Sequence, residues 1–309
     1  MSHSSSVPIV CPCCHVPLTV ASGGLICPSR ESNDCRGTYP SENGVPDLVI
    51  GERFADETDA ACMCYEETSN EYTARNYWLP TFHSLFPGVD QGRQIRILAV
   101  GCGTGLEVDM LNAAGFDCYG IDNGNRTQAW SRRESRSHLF LANGMHLPFP
   151  DESFDAVFCG CVFPHVGVVG DSNQVADGGL EDRQALAAEM SRVLKKGGRA
   201  LLSSPNRSFP FDIFHGREPG SYKPRFNPPG SRFLLSLGDY AELFLRAGCR
   251  EAMARPIDGY WGFVRSSHSL KGQLLGLPVR FVFRLVSSKI FGFLRTSPIS
   301  PWLVVEVVK

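Results

Sequence analysis

Residues 95–107, Ile-Arg-Ile-Leu-Ala-Val-Gly-Cys-Gly-Thr-Gly-Leu-Glu, constrain this chain more than any other stretch. A short apolar run that ends in alternating glycines reads as a buried strand entering a tight turn, and the turn as the start of a helix. Gly101, Gly103 and Gly105 make a bare main-chain loop. A flat nucleoside or an anionic group can approach such a loop closely, because no Cβ intervenes.

The remainder of the chain must supply what surrounds that turn. At 309 residues and 43% hydrophobic composition, it can bury one large α/β domain and a small accessory module. A net charge of −2 does not suggest nucleic acid as a partner. The start, Met1-Ser-His-Ser-Ser-Ser, has neither a basic nor an apolar leader region, and no apolar run reaches the length of a membrane span. The expected compartment is therefore the cytoplasm, where thiols stay reduced. Five of the 12 cysteines fall in the first 35 residues, which suggests a metal. Cys102, Cys118, Cys159, Cys161 and Cys249 are scattered and read as small core residues.

Three segments follow from the patterning: 1–50, rich in Cys, Pro and Gly; 51–92, a helical cap of one or two helices with interleaved aromatics; and 93–309, in which strand and helix signals alternate. Strands are expected over 95–100, 118–121, 138–141, 154–159, 199–203 and 302–308. Helices are expected from the glycine turn to Ala114, over 127–136, 181–194 and 239–247. Lys195-Lys196-Gly197-Gly198 reads as the stop of the third of these. Alternation of this kind argues for a parallel sheet with helices on both faces. Within the last segment, 206–238 and 258–300 read as substrate or lid insertions.

Dinucleotide folds usually place glycine one residue beyond Gly105, where this chain has Leu106. The Gly-Cys-Gly-Thr-Gly turn is instead similar to the first motif of class I methyltransferases that use S-adenosylmethionine. Further matches follow in order. Asp122 closes the second strand, where a carboxylate can accept from both ribose hydroxyls; helix capping is its plainer reading. Ala142-Asn-Gly-Met-His-Leu-Pro-Phe-Pro150 resembles the adenine loop, with Asn143 where the family usually has Asp. Phe154-Asp-Ala-Val and Arg192-Val-Leu-Lys-Lys-Gly-Gly198 resemble the fourth-strand and fifth-strand motifs. The chain is thus identified as similar to class I methyltransferases of type 11 over 93–206. The resemblance implies an α/β, Rossmann-like, mainly parallel seven-stranded sheet with helices on both faces. It also implies S-adenosylmethionine as cofactor, held by Gly101, Cys102, Gly103, Thr104, Gly105, Asp122, Asn123, Asn143, Gly144 and Met145. Tyr72 and Tyr77, from the cap, are placed either over the cofactor or in the core. The family commonly carries an acid near the end of the first strand, where this chain has Ala99. A zinc-bearing scaffold that binds the cofactor, or nothing, without turnover is the reading which that departure keeps open.

Methyl transfer needs an acceptor lone pair in line with the methyl–sulfur bond, and an oxygen acceptor needs a base. His165, just after the fourth strand, is the first candidate. His215, with Asp212 as a possible partner, is the second; a structural role is open for both. The expected acceptor is a hydroxyl on a small molecule, a glycan or a lipid-linked glycan.

Cys11, Cys14, Cys27 and Cys35 offer four thiolates to one structural zinc, with Cys13 or His15 as substitutes. The segment resembles small zinc-ribbon modules fused to methyltransferases. Ribosomal RNA methyltransferases also join a zinc module to this fold, so a ribosomal or transfer RNA acceptor is the alternative. Charge argues against it: residues 1–50 hold Arg30 and Arg36 against Glu31, Asp34, Glu42 and Asp47.

Between Asp258 and Glu306 there is no acidic residue, and 277–294 is largely apolar. On a helix, Arg280, Arg284, Ser287, Ser288 and Arg295 fall on one side, mostly away from Phe281, Val282, Leu285, Val286, Phe293 and Leu294. Peripheral contact of 277–295 with the inner membrane face is one expectation; a helix packed on the sheet is the other.

Overall fold

The computed structural model describes residues 7–42, 44–51, 53, 60–169, 174–212, 225–228, 230–260 and 270–309. Its frame is a seven-stranded sheet. The strands, in chain order, are β5 (Arg96–Val100), β6 (Asp117–Asp122), β7 (Leu139–Leu141), β8 (Phe154–Gly160), β9 (Leu194–Pro205), β12 (Glu251–Ala254) and β13 (Trp302–Val308). They lie side by side in the order β12-β13-β9-β8-β5-β6-β7, and β13 alone among them runs against the rest. The order reverses at β5, which leaves a crevice beyond the carboxyl ends of β5 and β8, where ligands of open α/β sheets bind.

Alternation along the strands sorts the core into two faces. Leu98, Val100, Ile121, Val157 and Leu202 point to one face. There they meet α4 (Gly179–Val193) through Leu186, Ala187 and Met190, and α5 (Leu237–Arg246) through Tyr240 and Phe244. Ile97, Ala99, Cys118, Phe158 and Leu201 point to the other. That face takes Val108 and Leu111 of α3 (Leu106–Ala113), Trp78 and Phe82 of the cap, and Phe283 and Val286 of α6 (Leu270–Ser287). The cap runs without a break as α1 (Ala60–Thr73), a π-helical turn (Ala74–Trp78) and α2 (Leu79–Leu85).

The N-terminal segment forms a four-stranded antiparallel sheet: β1 (Thr19–Ala21), β2 (Gly24–Ile26), β3 (Thr38–Glu42) and β4 (Val45–Pro46). It docks on the exposed edge of β7. Asp47 bridges Leu141 in parallel, the Leu48 amide donates to the Leu141 carbonyl at 2.7 Å, and the Val10 amide donates to Pro148 at 3.0 Å. An open strand edge is thereby covered. A small ribbon, β10 (Phe211–Asp212) with β11 (Arg225–Phe226), lies in the insertion after β9.

Three expectations are corrected. The helix over 127–136 is a 3-10 turn at Asn125–Arg132 and a second at Arg136–His138, because Ala129 and Trp130 alone are buried in the first and no 3.6-residue apolar stripe exists to hold an α-helix. The helix does stop before Lys195–Gly198, at Val193, but the next strand starts at Leu194 rather than Arg199 and carries those residues as a bulge. Phe154 pairs with Leu194 and Ala156 with Arg199, and Lys309 holds the bulge from both sides through Gly197 and Gly198. The C-terminal helix ends at Ser287, not beyond it. Arg295 leaves the basic face to cap that end, donating to the carbonyls of Val286, Ser287 and Ser288.

Candidate functional site

The glycine turn leaves β5 with all three glycines at positive φ: +70° at Gly101, +53° at Gly103 and +76° at Gly105. The Gly101 and Cys102 amides donate to the Ile121 carbonyl, which ties the turn to the end of β6. The three glycines serve different ends. A Cβ on Gly101 would stand 2.3 Å from Val162 Cγ2, and one on Gly105 would stand 3.0 Å from Leu139 Cδ1, so both are bare in order to pack. A Cβ on Gly103 would meet only Arg126 Cδ, at 3.5 Å. Its backbone is the part of the turn that faces outward.

Asp122 fixes that backbone. Its Oδ2 accepts the Gly103 amide at 2.8 Å and its Oδ1 accepts the Gly124 amide at 2.7 Å. One lone pair of each oxygen is thus engaged, and each oxygen retains a second as an acceptor. Asn123 is half-buried beside it. Cys102 is buried, with its thiol turned into the core; burial first, then the nearby Asp122 and Glu107 charges, pushes that thiol well up. It contributes main chain rather than sulfur. Thr104 is buried too, and its Oγ1 has no hydrogen-bond partner among the described residues.

Residues not foreseen from the sequence buttress the turn. Trp130 Nε1 donates to the Gly103 carbonyl at 2.8 Å, and Arg133 Nε donates to the Thr104 carbonyl at 2.7 Å. Arg133 also pairs with Glu67 of the cap helix, as does Arg132, at 2.7 Å. No motif announces these residues, because their partners lie more than 25 positions away.

Asn143 stands beyond β7. Its Oδ1 accepts the Met145 amide at 3.0 Å and its Nδ2 donates to the Ile50 carbonyl at 3.2 Å. The loop that holds Gly144 and Met145 is therefore fastened to the N-terminal segment. Tyr72 is half-buried, with its carbonyl accepting Asn76 Nδ2. Tyr77 belongs to the core: its ring packs edge-on to Trp78 and Tyr260, and its hydroxyl donates to the Pro256 carbonyl at 2.7 Å. Ala99 is buried between Gly120 and Phe158 in register, on the aromatic face of the sheet. A carboxylate there would be driven into apolar surroundings.

After β8, Phe163–His165 forms a 3-10 turn, with the His165 ring edge-on to Phe233. Arg183 of α4 holds this turn. Its buried guanidinium donates to the carbonyls of Pro164, Val166, Arg232 and Phe233. His215 lies outside the described residues; Asp212 is buried on β10.

Cys11, Cys14, Cys27 and Cys35 bring their sulfurs together within 4.8 Å of one another. Cys11 and Cys35 Sγ are 3.7 Å apart, close to the edge of a tetrahedron with metal–sulfur bonds of about 2.3 Å. The buried Tyr39 hydroxyl lies 3.2 Å from Cys11 Sγ, and the Cys14 amide donates to that sulfur at 3.4 Å. Burial alone would raise the Cys11 thiol; the Tyr39 hydroxyl and the Cys14 and Cys13 amides outweigh it and bring it down to about 7. Its neighbour Cys35 is pushed up, by burial first, so Cys11 ionises ahead of it. Cys13 stays outside the four, and burial raises its thiol to about 11.

The sheet is doubly wound, and an acid on the next strand braces its glycine turn. Residues 98–202 match the family model described as "Methyltransferase domain". More particularly, the chain is 29% identical over 164 residues to a protein of Mycolicibacterium smegmatis named a probable S-adenosylmethionine-dependent methyltransferase, covering 50% of this chain and 58% of that one. It is 28% identical over 156 residues to the demethylmenaquinone methyltransferase of Symbiobacterium thermophilum, covering 47% of this chain and 51% of that one. It is 31% identical over 116 residues to "O-methyltransferase rstn1" of Aspergillus nomiae, covering 35% and 45%. The chain thus spans roughly half the length of these relatives. A solved S-adenosylmethionine-dependent methyltransferase of Archaeoglobus fulgidus aligns at a TM-score of 0.47 and 15% identity, covering 81% of this chain and all of that one.

Proposed function

We propose that the chain is an S-adenosylmethionine-dependent methyltransferase acting on a hydroxyl of a small-molecule, glycan or lipid-linked acceptor. The observation that carries the reading is Asp122, clamped by the Gly103 and Gly124 amides beside the one open face of the glycine turn. The residues present fit such a cofactor. Gly103 leaves room for an adenosyl group, the unengaged lone pairs of Asp122 suit its ribose diol, and the unpartnered Thr104 Oγ1 offers one more polar contact.

When bound, the cofactor supplies an electrophilic methyl group on sulfur. The chain's own part is alignment and exclusion of water. Asn143, Gly144 and Met145 are assigned to the adenine, and Asn123 and Tyr72 to the rim. His165 lines the acceptor side and takes the hydroxyl proton. Arg183 positions the His165 turn from behind. The division into 1–50, 51–92 and 93–309 follows the same reading, and the four thiolates of the first part hold a structural zinc: the donor set and its spacing fit a tetrahedral ion.

Calorimetric titration with S-adenosylhomocysteine tests the proposal. Asp122→Ala removes charge-assisted acceptors that contribute about 1.5–3 kcal/mol each, so binding should weaken at least about tenfold. Absence of binding by the folded wild-type chain would instead favour a scaffold without turnover, the alternative that Ala99 keeps open. Soaking followed by mass spectrometry of a trapped acceptor addresses the substrate class.

A further inference from the structure

The insertion between β12 and β13 is pinned to the ligand edge of the sheet at both ends. At its start, the Tyr260 hydroxyl bonds Ser203 Oγ near the carboxyl end of β9. At its close, Asn206, which follows β9, donates to the carbonyls of Ser297, Ser300 and Pro301. Within the insertion, α6 buries Phe283 and Val286 against the sheet. Its opposite side is also apolar. Leu274, Leu277 and Phe281 recur at helical spacing on the outward side, with Phe281 66% exposed. Past the helix end, Ile290 and Phe293 stand out at 80% and 73%. The stripe is flanked by the exposed cations Arg280, Arg284 and Lys289, and no acidic residue occurs from 259 to 305.

Large apolar side chains standing clear of the surface mark an interaction face. Its occupant is selected by charge. A second copy paired face to face would bring Arg280, Arg284 and Lys289 against their own kind, three cations against the single charge of Asp258 at the helix end. The apolar groups project outward rather than lining a groove, which suits insertion into a fluid phase. We propose that this face lies in the surface of an anionic lipid bilayer, with apolar residues among the acyl chains and the three cations at the headgroups. The ligand edge of the sheet then borders the membrane. An acceptor with an apolar portion held in the bilayer is the substrate class that follows, and this last step rests on the methyl-transfer reading. No helix among the described residues is long and apolar enough to cross a membrane, so the contact is peripheral.

The test is flotation of the full chain with vesicles of phosphatidylcholine alone and with phosphatidylglycerol added. Binding is expected only with the anionic lipid and should weaken as salt is raised. The charge variant Arg280→Gln with Arg284→Gln should lower partitioning roughly tenfold or more. Phe281→Ser with Ile290→Ser and Phe293→Ser should abolish it. Calorimetry with S-adenosylhomocysteine on the same preparations reports that the variants are folded. Equal behaviour on both vesicle types, or variants that float like the wild type, overturns the proposal. So does a self-association or an acidic-protein complex that the Phe281 variant abolishes while vesicles are ignored. Cofactor binding without flotation removes the membrane face and leaves the methyltransferase reading. Flotation without cofactor binding does the reverse.

Discussion

Tyr39 shows how one buried hydroxyl can govern a cluster. It reaches Cys11 Sγ at 3.2 Å from inside the core, where a thiolate would otherwise be costly. Tyr39→Phe should therefore lower zinc affinity by roughly tenfold or more while leaving the four sulfurs in place, which a competitive chelator titration measures. Asp239 poses a similar question of proton balance. Burial would raise its carboxyl; hydrogen bonds from Ser236 and the Arg207 guanidinium at 3.0 Å outweigh it and hold the carboxyl below its usual range. A depressed folded value means that the unfolded chain binds the proton more readily. The stabilisation is thus fully present above the unfolded value of about 3.9 and is lost as pH falls through the folded one. Urea midpoints of the wild type and Asp239→Asn should differ at neutral pH and converge in acid; a gap that persists at the lowest pH contradicts this account.

Elements act here through what they clamp. Arg183, buried on α4, donates to four carbonyls from two separate loops. Arg183→Met leaves those carbonyls without a partner and should lower stability by at least about 2 kcal/mol, read as a shift in denaturant midpoint. Because it braces the His165 turn rather than the glycine turn, turnover should fall more than S-adenosylhomocysteine affinity. Lysine should not rescue it, since one ammonium cannot reproduce the guanidinium fork. The N-terminal sheet is a clamp of the same kind. Leu48 bonds the edge of β7, and Ile50 accepts from Asn143 in the loop after β7. On the proposed reading, in which the four thiolates hold zinc, a chelator should loosen both, which would appear as faster exchange of the Leu48 amide and weaker S-adenosylhomocysteine binding. Unchanged binding in the metal-free chain would separate the two modules.

At the scale of the whole molecule, β7 would be an open edge without the N-terminal sheet. A chain lacking residues 1–50 should self-associate through that edge, as light scattering would show; a well-behaved monomer would argue that the docking is dispensable. The elements built on local pattern were legible in advance. The strand at 302–308, the glycine turn and the acid at the end of β6 announce themselves through a largely apolar, β-branched run, alternate glycines and position directly after a short apolar strand. The polar turn at Asn125–Arg132 and the bulge at Lys195–Gly198 did not, since their shape is imposed by partners such as Trp130 against Gly103 and Lys309 against Gly197. Arg295 illustrates the same divide: its spacing puts it on a basic helical face, whereas the helix stops short and draws it into a cap. What the sequence alone determined is the alternating architecture, the glycine turn and the cysteine set, because each depends on near neighbours. Which glycine is left open, how the cysteine segment seals the sheet and which apolar side chains stay uncovered were decided only by tertiary packing, because those outcomes depend on atoms brought together from distant parts of the chain.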